Sequence, residues 1–276
     1  VSLSLLADCG QRPYNPGVLP VLIAAVAATC TAHPATLDRE VGRRAIPWLP
    51  PDLARQIVRH EGDFNAGAAA AARWNRTFHQ PGGKRGLEVA IRAQCERLAA
   101  AIRARTPFSE VVAGFGSLAH LAVDLDAPFL DANVKDAYAH AFASYLPLAA
   151  PRIPIVFYGQ QRAVVLGAAR GLPPFLSARR REAAFLADFV REDLDRVGGP
   201  TSWERLDDRS STFGVASLLL NHAATDFAIL ASWVWSHAGG LVPDIPMQHD
   251  MILVWKGEPQ PREAPVSGFS LRQARP

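Results

Sequence analysis

Cysteine and lysine are the scarce residues of this chain. Three Cys (Cys9, Cys30, Cys95) in 276 residues are too few for a disulfide framework or a cysteine-built zinc ribbon. Any zinc would have to be held by histidine and carboxylate instead. Net charge is nearly absent as well. The 29 basic residues against 26 acidic ones leave a formal +3, too weak by itself to call for nucleic acid. Only three of the basic residues are Lys (Lys84, Lys135, Lys256), and 26 are Arg. Guanidinium forks fit phosphate oxygens, but a general compositional bias, in a chain also rich in Ala, is the simpler reading. A continuous apolar run long enough to span a bilayer, ~20 residues, is not expected either. Val18 to Thr31 (VLPVLIAAVAATCT) is shorter and leads into the small-residue stretch Ala32 to Ala35. It reads as a signal-peptide core. The expectation is therefore no transmembrane segment, a leader-like or non-native segment over 1–35, and an exported protein, periplasmic or secreted. A buried N-terminal helix is the alternative.

What the chain does have is apolar material and helical periodicity. Apolar residues make up 49%, enough for a sizeable core, which excludes disorder by composition. Leu87 to Arg105 carries apolar residues at three- and four-residue spacing between Gly82-Gly83 and Thr106-Pro107, so an amphipathic helix is expected there. Further helices are expected from Ser109, acting as a cap, to Asp124, and over Leu53 to His60, Val134 to Leu148, Ala178 to Val197 and Phe213 to Ala238. No run alternates with period two over enough residues to argue for a sheet. The reading is an all-α domain over 36–240, followed by a Pro-rich extended or disordered tail over 241–276.

Histidine carries the chemical signals. His120 and Asp124 stand four apart on the expected second long helix, on one face, where they can share a cation. A surface hydrogen bond is the plainer reading. The apolar neighbours Leu118, Leu121 and Val123 imply burial, and a buried carboxylate needs a partner. His79 lies in a loop before a helix. His140 with Asp136 and His222 with Asp226 repeat the four-residue spacing. The first pair reads as solvated, the second as an internal polar clamp. His60 and His237 read as helix-terminal residues.

Taken in order, four segments resemble the bacterial zinc-dependent phospholipase C family and its relatives, the zinc-dependent single-strand nucleases. These are Leu37 to Pro51 (LDREVGRRAIPWLPP), His60 to Gly67 (HEGDFNAG) with Phe78-His79, Gly116 to Asn133 (GSLAHLAVDLDAPFLDAN) and Asp207 to Leu218 (DDRSSTFGVASL). The third is similar to the family signature H-x-x-x-D-x-x-x-P-x-H. The resemblance implies a multi-helix bundle and an exported zinc-dependent phosphodiester hydrolase with metal-bound water as nucleophile. It implies His79, His120, Asp124 and His140 as metal ligands; an Asp near such a site, Asp38 or Asp126, is the candidate base, and Arg73 and Arg76, near His79, are the candidates for holding a phosphate. Departures from the pattern are specific. Ligand positions of the family fall on Asp38, Ala72, Leu130 and Ser144, so one zinc ion is expected rather than three. A phosphodiester small molecule or phospholipid headgroup is the implied substrate, with nucleic acid as the lesser alternative. A catalytically inactive helical scaffold of the same fold is the rival reading.

Overall fold

The structure, a computed structural model, describes residues 35–82, 86–131, 135–242 and 253–255. Within them the chain is overwhelmingly helical. Helices α1 (Ala35–Ala45), α2 (Pro51–Arg59), α3 (Glu61–Ala71), α4 (Leu87–Arg103), α5 (Phe108–Asp126) and α6 (Ala137–Ala149) lead to a short strand β1 (Ile155–Phe157). Then follow α7 (Arg162–Val165), α8 (Leu172–Phe185), α9 (Ala187–Arg196), α10 (Ser211–His237) and strand β2 (Leu253–Trp255). The two strands pair antiparallel, Val156 opposite Val254. This small ladder was not legible in the periodicity, because three residues are too few to show an alternation. The rest of the expected leader over 1–35 lies outside the described residues, as does most of the tail.

Helix α5 is the axis of the core. From Val111 to Asp126 nearly every residue is buried, polar ones included. It packs on α3, α4 and α10. The α3–α5 contact is made by glycine. A Cβ on Gly67 would lie 1.7 Å from the Ala113 carbonyl oxygen, and one on Gly116 would lie 1.9 Å from that of Phe64. The two backbones therefore touch, and Ser117 Oγ closes the seam by donating to the Gly67 carbonyl at 3.0 Å. Helices α5 and α10 are each long and apolar enough to cross a membrane, yet 78% and 72% of their apolar windows are buried inside the fold.

Several expectations need correction. Pro107, not Ser109, stands at the N-cap of α5, and no side chain caps it. The single helix expected over Ala178 to Val197 is two, broken at Leu186. Helix α3 was not expected at all, because its Gly- and Ala-rich stretch has no apolar periodicity. Arg179 and Arg180 of α8, in a run of three arginines that reads as a solvated helix face, are buried instead. They are 8% and 5% exposed.

Arg44 is the deepest cation, 1% exposed. Its guanidinium donates to Glu40, to the carbonyls of Ala150, Ile153 and Pro154, and to Asn221 Oδ1. Asn221 in turn holds the backbone of β1 through Val156 N at 3.0 Å. One side chain thus ties α1 to α10 and to the segment entering β1, with its donors satisfied.

Candidate metal centre

Three elements deliver the site. Helix α5 presents His120 and Asp124, one turn apart. A 3-10 turn, Arg76–His79, delivers His79; it is set by Asn75, whose Oδ1 accepts from Thr77 N at 3.0 Å. Helix α1 brings Asp38. All four side chains are buried, with exposures of 0–2%. Ligand atoms of His79, His120 and Asp124 lie within 4.8 Å of one another. His79 Nδ1 sits 2.6 Å from Asp124 Oδ2, His120 Nδ1 sits 3.0 Å from Asp38 Oδ2, and His120 Nε2 sits 3.6 Å from Asp124 Oδ2. The two imidazoles meet edge to face at 5.2 Å.

This donor set fits a zinc-type ion. Two imidazoles and one carboxylate form a common His2Asp arrangement. Among the described residues His79 Nε2 is buried with no hydrogen-bond partner, an acceptor or donor taken out of water for nothing unless a ligand meets it.

The other residues expected at the site divide. His140 is exposed on α6 and does not join the three. Its helix starts at Ala137, capped by Asp136, whose Oδ1 accepts from Tyr138 N and Ala139 N, and this start turns His140 outward. Asp126 is buried but belongs to a different group. Arg179 donates to Asp126 Oδ1 at 3.1 Å, to Asp226 Oδ2 at 2.6 Å, to Glu182 and to His222 Nδ1. Burial and the neighbouring Asp226 push the Asp126 carboxyl well above the usual carboxylate range, and burial raises Asp226 as well. Burial, helped by the Arg179 charge, lowers His222 to about 3, so its ring stays neutral and can accept from the guanidinium. The internal clamp expected of His222 and Asp226 thus exists, but Arg179 closes it. Arg180 caps α5 by donating to the carbonyls of Asp124, Leu125 and Ala127. Arg73 and Arg76 are exposed beside the turn that carries His79. Leu130 is core.

The chain is thus a mostly helical fold with this buried triad as a candidate metal centre. A solved structure that shares the fold is the alpha-toxin of Clostridium perfringens from an avian strain. It matches with a TM-score of 0.56 at 12% identity, over 78% of this chain and 66% of that one. The chain thus spans just under two thirds of the toxin's length. No protein-family model matches the sequence, and no curated protein does.

Proposed function

We propose that this chain is a metal-dependent phosphodiester hydrolase built on a single zinc-type centre, with His79, His120 and Asp124 as the ligands. The supporting observation is the meeting of these three side chains, delivered by separate segments, as one buried group. Three protein ligands of this kind leave a coordination position for water or substrate. Bound zinc supplies Lewis acidity there and acidifies water at neutral pH. The chain's own residues supply the rest. His79 and His120 would hold the ion through ring nitrogens, and Asp124 would offset part of its charge. Arg73 and Arg76 offer exposed guanidinium forks next to the His79 turn, suited to the oxygens of a phosphodiester. The base role is not carried to Asp126, whose Oδ1 is held by Arg179. The substrate class is a small phosphodiester or a phospholipid headgroup, and export is part of the same proposal.

Near-total burial of the centre favours a second reading, a closed site that stabilises a helical scaffold without turnover. Ala72, Leu130 and Ser144, standing at family ligand positions, agree with it.

Metal analysis of purified protein separates the readings. About one tightly held zinc per chain is expected, lost in His120→Ala. Wild-type protein free of metal after zinc loading would remove the centre. Turnover of a chromogenic phosphocholine diester supports the hydrolase, cleavage of single-stranded DNA would reassign it as a nuclease, and bound zinc with neither leaves the scaffold.

A further inference from the structure

The four polar side chains of the centre form a string, His79–Asp124–His120–Asp38. Its two outer links are hydrogen-bonded contacts, at 2.6 and 3.0 Å. The middle link, Asp124 Oδ2 to His120 Nε2, is 3.6 Å. That is too long for a hydrogen bond. It is close to the roughly 3.3 Å edge of a tetrahedron of atoms each ~2.0–2.1 Å from a zinc ion. An ion held by both Asp124 and His120 would be accommodated at this interruption.

Asp38 is the member that the ligand set does not explain. Its carboxylate meets Nδ1 of His120, the nitrogen on the far side of the ring from Asp124. It is 1% exposed, so it must be met by a donor. A neutral imidazole carries one ring proton, and the nitrogen without it keeps a free lone pair. We infer that Asp38 is a positioning residue: it holds His120 in the Nδ1–H tautomer and so assigns Nε2 as the atom that faces the metal.

The geometry supports this role over direct ligation in two ways. Asp38 is not among the side chains whose ligand atoms converge. Its helix is also fixed: Arg44, two turns on, locks α1 to the carbonyls before β1 and to Asn221 on α10. Helix α1 therefore presents Asp38 as a rigid stop behind the ring. A carboxylate in this position also prevents ring rotation, and losing such a partner typically weakens metal affinity 10–100-fold.

The consequence for metal affinity rests on the reading given under Proposed function; the tautomer does not. Nitrogen-15 NMR of the metal-free wild type at alkaline pH reads the tautomer directly. His120 is expected as Nδ1–H, and the Nε2–H form would overturn the inference even if the centre binds zinc. Competition titration with zinc and cobalt(II) then compares variants. Asp38→Asn keeps an oxygen acceptor and is expected to retain the tautomer and most of the affinity. Asp38→Ala is expected to lose the tautomer preference and about 10–100-fold in affinity, with the cobalt absorption still reporting three protein ligands. Unchanged affinity in Asp38→Ala, or a cobalt spectrum that loses a ligand, would overturn it. If wild type binds neither metal, the metal reading fails while the NMR result still decides the tautomer.

Discussion

Arg179 places a permanent positive charge among two buried aspartates and a histidine, and burial together with that charge disfavours protonation of His222. Its ring is held neutral down to about pH 3 in the folded state, while an unfolded histidine titrates near ~6.5. Between those values the unfolded chain binds more protons than the folded one. Stability contributed by neutral His222 is therefore present above ~6.5 and drains away as pH falls toward 3. In His222→Phe this component is gone, so the melting temperature of wild type should fall more steeply across that window than the variant's. Parallel curves would show that His222 does not stay neutral in the fold. At this scale the sequence was partly legible. His120 and Asp124 declared themselves by spacing, since four residues on a helix is one turn. His79 came from the resemblance alone, because nothing local says where a loop histidine goes. Arg179 and Arg180 were hidden: a run of three arginines reads as a solvated face, and only tertiary packing shows that two of them satisfy buried carboxylates and carbonyls.

The element that decides the geometry is the α3–α5 seam. Helix propensity alone would favour Ala over Gly in both helices by about 1 kcal/mol, so Gly67 and Gly116 persist against that preference because the backbones touch there. Gly116 also stands one turn before His120. Gly116→Ala must part the helices, and overpacking of this kind costs typically 1–3 kcal/mol. Because the clash is with backbone, about 3 kcal/mol is expected, read by denaturant unfolding. Gly62→Ala, with nothing within 4 Å of the added carbon, is the control; it should be neutral or slightly stabilising. Equal effects in the two variants would mean that the seam is looser than the distances say. This seam also explains why α3 went unread: the Gly and Ala that permit close approach are the residues that erase an amphipathic pattern. The break at Leu186 is a comparable loss, since nothing in Ala178 to Val197 punctuates the chain with Gly or Pro.

For the whole molecule, the all-α architecture could be read because apolar periodicity over long helices is a strong signal. The β1–β2 pairing could not, because it joins segments about a hundred residues apart by backbone groups. Arg44 spans distances of that order. Its partners other than Glu40 lie 106, 109, 110 and 177 positions away along the chain. Contacts of such separation close late, after the loops between them have been ordered. The guanidinium cannot be half-buried at an acceptable cost, so α10 and the segment before β1 must both arrive before it is desolvated. This makes Arg44 a latch on the exit from the native state rather than a guide into it. Removing one partner of such a buried network costs about 3–5 kcal/mol. In Arg44→Met nearly all of that loss should fall on the unfolding rate, a rise of roughly a hundredfold or more, with refolding almost unchanged. A refolding rate that dropped by the same factor would place Arg44 in the nucleus instead. The polar centre of this fold therefore governs its lifetime more than its formation.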